Sequence, residues 1–149
     1  MPIQPPHPRI VPSLSYADAP AAIDFLVNAF GFTEDYRLPM PDGRIGHAEL
    51  THGDSRITLA SAYPEMGFVP PGDRAGVSSQ LSVYVDDVDA HYATAVAAGA
   101  SVVGEPEDQP YGARMYRAVD PEGHRWIFSQ YTSLMTPEEI AAAYAGDDA

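Results

Sequence analysis

The stretch Leu81-Ser82-Val83-Tyr84-Val85-Asp86 decides the fold, because the chain carries it twice. Its other copy is Ser13-Leu14-Ser15-Tyr16-Ala17-Asp18. Both alternate in the period-two manner of a strand with one covered face. Both end on an aspartate, a side chain that can accept from the open N–H groups at a helix start. A helical stretch follows each, to Gly31 in the first copy and Gly99 in the second, and glycine suits a helix C-cap. Each copy runs 13 residues from Asp to Gly, and the two are offset by 68. Ile23, Leu26, Val27 and Phe30 recur at i, i+3, i+4 and i+7, the spacing of one buried helix face. Pro20 falls in that helix's first turn, where its missing N–H costs nothing. Val88, Tyr92, Ala95 and Val96 set the same phase in the second helix.

Working outward, three strand-like segments follow each helix: 32–38, 44–51 and 56–61 in the first half, 101–103, 113–119 and 124–130 in the second. Pro41-Asp42-Gly43, His52-Gly53-Asp54-Ser55 and Asp120-Pro121-Glu122-Gly123 read as the turns between them. The fold class is therefore α+β, two tandem βαβββ modules at about 10–62 and 79–131. With helices on one face, the other faces are expected to curl around a central cavity, the default place for function. Tyr63–Ser78, rich in proline and glycine, reads as the linker. Residues 1–9 form an extended arm, and Pro12 confines the first strand to an edge or to its own start. Thr136-Pro137-Glu138-Glu139 is a capping box opening a C-terminal helix within 132–149, whose end at Gly146–Ala149 is expected to fray.

The chain has 149 residues, about one domain's worth. Its eight basic residues are all arginine, its acids number 21, and it has no cysteine. Those absences exclude a Schiff-base lysine, a cysteine nucleophile, thiolate metal sites and disulfides. A net charge of −13 argues against nucleic acid or an anionic membrane as partner, and favours cations or basic small molecules. Residues 75–149 carry −9 of it and residues 1–74 carry −4. No basic, apolar leader opens the chain, and no apolar run reaches the ~18–20 residues of a membrane span. We therefore expect a soluble, cytoplasmic, acidic protein.

Several of these stretches resemble the vicinal oxygen chelate superfamily, which includes glyoxalase I, bleomycin-resistance proteins and extradiol dioxygenases. The resemblance runs from about Ile10 to Gln130 and rests on Ala21-Ala22-Ile23-Asp24-Phe25, Ala29-Phe30-Gly31-Phe32 and His47-Ala48-Glu49-Leu50. In the second half it rests on Val83–Asp89, Ala98-Gly99-Ala100 and Asp120-Pro121-Glu122-Gly123-His124-Arg125-Trp126. It looks most like the glyoxalase/bleomycin-resistance branch and implies a homodimer. Metalloenzymes of the superfamily take His, Glu and Gln ligands from the first and last strands of each module. Carried over, those positions are Val11, Leu59 or Ala60, Gln80 and Ile127. Only Gln80 has a donor atom, whereas a catalytic metal needs about three protein ligands. The resemblance therefore implies no cofactor here. A divalent metal is the alternative, held by Gln80, His47 and Glu49 after displacement of the ligand set.

If Val11 and Gln80 face inward, alternation turns Ser13, Ser15, Ser82 and Tyr84 inward as well. Arg125, Ile127 and Ser129 join them, while Trp126 and Phe128 go to the core. His47 and Glu49 share a strand face, as an acid–base pair, part of a metal site, or a plain hydrogen-bonded pair. In the loop 108–114, Tyr111 could stack on a planar ligand. Arg114 could clamp an anion, or simply pair with Glu105, Glu107 or Asp108. His124 is read as a turn residue, His7 and His52 as solvated, and His91 as a helix residue without an assigned partner. The expected function is metal-independent binding of a small molecule, sequestering a drug or metabolite. The alternatives are a metal-dependent lyase, isomerase or dioxygenase, or a metal-free enzyme using Tyr111 and Arg114.

Overall fold

The computed structural model describes residues 1–146 in two compact units. The first comprises Met1–Arg74 together with Pro121–Gly123; the second is the rest. The expected frayed tail lies, from Asp147 onward, outside the described residues.

The first unit holds β1 (Ser13–Tyr16), α1 (Ala19–Phe30), β2 (Thr33–Pro39), β3 (Ile45–His52) and β4 (Ser55–Ser61). Its sheet runs β1-β4-β3-β2. β1 lies parallel to β4 at the edge, with Ser13 opposite Thr58 and Ser15 opposite Ala60, which agrees with the edge position that Pro12 demands. Asp18 caps α1 by accepting from the Ala21 N–H at 3.2 Å. Gly31, at φ 80°, closes it in the left-handed region. α1 buries Ile23, Leu26 and Phe30. The sheet buries Leu14, Tyr16, Ala48, Leu50, Ile57 and Leu59. On β4 the partners of alternation, Arg56, Thr58 and Ala60, stay half-buried.

The second unit holds β5 (Leu81–Tyr84), α2 (Val88–Ala97), β6 (Ser101–Val102), β7 (Glu107–Gln109), β8 (Ala113–Val119), β9 (Arg125–Tyr131) and α3 (Pro137–Gly146). The order is β5-β9-β8-β6, with β7 also paired to β8. Two open, curled sheets, one per module, give the expected α+β class, with β6 and β7 of the second module in place of a single strand. Trp126, Phe128, Tyr116 and Ala118 form the core under α2, with Val88 and Ala95.

Three details differ from the sequence reading. The second cap is Asp87, one residue past Asp86, and it accepts from the Ala90 N–H at 3.0 Å. Val96 is 44% exposed rather than core, because an alanine-rich helix buries only Val88 and Ala95. Residues 107–109, read partly as loop, pair with β8 as a short edge strand. The turn at 120–123 is held by Asp120. The buried Asp120 carboxylate accepts from the His124 N–H at 3.0 Å and from Trp126 Nε1 at 3.1 Å. At the C-terminus the capping box forms, with the Glu139 N–H donating to Thr136 Oγ1 at 3.2 Å. None of the described α3 side chains is buried.

Candidate functional site

Each sheet has one face packed on its helix and one that is not. On the second sheet the register places Ser82 opposite Ile127 and Tyr84 opposite Ser129, on the face away from α2. The rings of Tyr84 and Tyr131 stack there at 4.9 Å, 13° from parallel. They are 54% and 57% exposed, so a two-ring aromatic surface stands open. A hydrogen bond with Tyr131 pushes the Tyr84 phenol above its ordinary range, and burial and the neighbouring Tyr131 and Tyr111 phenols act the same way. The Tyr84 phenol therefore stays neutral through the physiological range. Ser82 is exposed beside them, and Ser129 is buried. Such a surface can stack on a flat ligand while hydroxyls fix its orientation.

On the first sheet the corresponding face carries His47, Glu49 and Arg56. His47 Nε2 lies 3.2 Å from Glu49 Oε1, and Arg56 Nη1 lies 3.3 Å from Glu49 Oε2. The Tyr36 ring stands 6.4 Å from His47. Thr58 faces Glu49 across β3 and β4. The plain hydrogen-bonded pair is thus extended by a guanidinium into a three-residue row.

The remaining sequence candidates separate. Gln80 is exposed, one residue ahead of β5. Ser13 is exposed, while Ser15 is buried. Arg114 points to the helix side of its sheet, where Nε meets Asp89 of α2 at 3.0 Å and Nη1 meets Asp108 at 3.4 Å. It is the ion-pairing reading of Arg114 that the geometry matches. Tyr111 is near enough to Tyr84 to influence its phenol. Arg125 sits on the tyrosine-bearing face, opposite Val119.

The donor set does not fit the superfamily's metal. Val11, Leu59, Ala60 and Ile127 have no ligating side-chain atom. Among the described residues no three of His, Asp or Glu come together as a metal cluster. His47 and Glu49 stop at two donors, and Arg56 places a positive charge on the carboxylate oxygen a cation would need. Sequence reasoning missed Tyr131 and Arg117. Tyr131 continues the Arg125, Ile127, Ser129 alternation and was within reach. Arg117 becomes a neighbour of Arg125 only through the β8–β9 register.

Residues 9–128 match the Glyoxalase/Bleomycin resistance protein/Dioxygenase superfamily. An uncharacterized protein of Mycobacterium bovis, Mb0911c, is 37% identical over 140 residues, 92% of each chain. Among solved structures, TioX from Micromonospora sp. ML1 is 35% identical, with a TM-score of 0.65 over 82% of this chain and 97% of its own. A superfamily enzyme from Burkholderia phytofirmans PsJN is 25% identical, with a TM-score of 0.64 over 80% of this chain and 94% of its own. No described helix is long and apolar enough to cross a membrane.

Proposed function

The chain belongs to the glyoxalase/bleomycin resistance protein/dioxygenase superfamily, and from that premise we propose that it binds and sequesters a planar small molecule, a drug or metabolite, without a metal. The observation that carries this reading is the open Tyr84–Tyr131 stack on the helix-free face of the second sheet. Aromatic stacking on each ring contributes about 0.5–1.5 kcal/mol beyond area burial, a useful term for a flat ligand and a poor one for a metal-bound oxygen substrate. The ligand positions without donors support the same reading.

The reading includes a homodimer. Leu134 is 86% exposed and α3 buries none of its described side chains, surface that a second copy would cover. Dual-wavelength sedimentation velocity tests both parts, using a panel of anionic, neutral and cationic planar dyes. At least one dye is expected to travel with a species of twice the 16.0 kDa chain mass. Tyr84→Leu is expected to release it by tenfold or more in affinity, a loss of about 1.4 kcal/mol or more. A panel that never co-sediments, or a Tyr84→Leu protein that binds as well as wild type, would contradict the reading.

A second reading has one observation of its own. The His47–Glu49–Arg56 row could orient an imidazole as a base, so a lyase, isomerase or dioxygenase of the superfamily is the alternative. As a metal enzyme it would need a third ligand beyond His47 and Glu49, with Gln80 the candidate from the sequence.

A further inference from the structure

The tyrosine-bearing face continues along the strands to a pair of cations. Arg117 of β8 stands opposite Ile127, and Arg125 of β9 stands opposite Val119. The two arginines are therefore diagonal neighbours on the same face, with α-carbons roughly 7–8 Å apart. Arg37, Arg44, Arg56 and Arg114 each meet a carboxylate. Arg117 and Arg125 form no ion pair among the described residues. Arg125 Nη2 donates to the Ala75 carbonyl at 3.2 Å, and its Nε is buried without a partner. Arg117 is exposed.

Like charges so placed repel, and a chain with 21 acids has ample means to neutralise them. Glu107, an acid on this face, stands opposite Met115 on the edge strand and forms no ion pair with either arginine. The aromatic pair lies on the same face, across β9. Tyr84 aligns with Ser129 on one side of β9 and Arg117 with Ile127 on the other, so two strand spacings and one pleat repeat put their α-carbons about 12 Å apart, a gap that the two long side chains can share around one ligand. Ser82 stands in the Arg117 row, on the far side of Ile127.

We propose that Arg117 and Arg125 form an anion subsite, and that the ligand of this face is a planar aromatic molecule carrying a carboxylate, sulfonate or phosphate on the edge of its rings turned toward the two arginines. The inference rests on the planar-ligand reading above and assigns the ligand's charge. It also reverses the preference for basic compounds that the whole-chain charge alone would give. The net −13 repels an anion at long range, but at ~0.15 M salt that field is screened beyond about 8 Å. The guanidinium contacts lie inside that distance.

A matched pair of dyes tests it: 8-anilino-1-naphthalenesulfonate and N-phenyl-1-naphthylamine, which share their rings and differ by the sulfonate. Fluorescence titration of the full chain at ~0.15 M salt is expected to give about tenfold tighter binding of the sulfonate dye. Arg117→Gln, at an exposed and unpaired position, is expected to abolish most of that preference while leaving the neutral dye's affinity unchanged. Arg125→Gln, with its fold checked by circular dichroism, is expected to act in the same direction. Tyr84→Leu should weaken both dyes together. Equal affinity for the two dyes in wild type would overturn the anion subsite and leave the planar-ligand reading standing. So would a sulfonate preference that survives both arginine substitutions. If neither dye bound the wild-type chain, the planar-ligand reading itself would fall, and this inference with it.

Discussion

Tyr116 shows how one side chain ties the core of the second unit to pH. Its ring is buried against Tyr92 and Phe128, and its hydroxyl lies 2.6 Å from His91 Nδ1. Burial, with Tyr92 acting in the same sense, holds its phenol well above the ordinary value near 10. Above that pH an unfolded tyrosine releases its proton while the folded one keeps it. The native state then binds more protons than the unfolded state, so stability falls as pH rises. Tyr116→Phe is expected to cost about 1 kcal/mol at pH 7 through the lost hydrogen bond. That deficit should shrink in urea unfolding above pH ~10. A deficit constant with pH would refute the assignment. His91 had no partner nameable from the sequence, because Tyr116 lies 25 residues away and the contact depends on register. Arg114 was legible only as a choice between partners; the deciding Asp89 is on the helix above it.

At the scale of elements, the repeated strand–Asp–helix–Gly pattern was readable because each feature is local. Alternation, a cap and a left-handed glycine all act within a few residues. The parallel pairing of β1 with β4 and of β5 with β9 leaves no such local mark, and neither does the place of the turn at 121–123. Glu122 of that turn accepts from the Ala17 N–H and from the Asp18 N–H, the latter at 3.0 Å, just ahead of α1. Its neighbour Gly123, at φ 94°, sits so close to the Gly72 carbonyl that a β-carbon would be 2.2 Å away. A carboxylate at a helix start satisfies open N–H groups and complements the helix dipole. Glu122→Ala is expected to lower stability by about 1 kcal/mol, or roughly 2–4 °C in thermal midpoint. An unchanged midpoint would show that the contact contributes nothing.

For the whole molecule, composition and site disagree in an instructive way. A surplus of 13 negative charges describes the surface that keeps the chain apart from polyanions. It says little about a face where two arginines stand together, neither ion-paired to a described residue. The same contrast applies to the metal. Family membership raises the expectation of one, while Val11, Leu59, Ala60 and Ile127 at the implied ligand positions offer no donor atoms. On the proposed function, this chain uses the superfamily's fold to bind a small molecule without the superfamily's metal. Elemental mass spectrometry tests it most directly, on untagged protein purified without chelator and then dialysed against Ni²⁺, Zn²⁺, Mn²⁺ and Fe²⁺ in turn. No stoichiometric metal is expected under any of the four. A metal bound at one per chain, and lost in a His47→Ala/Glu49→Ala double variant, would contradict it and place the chemistry on the first sheet.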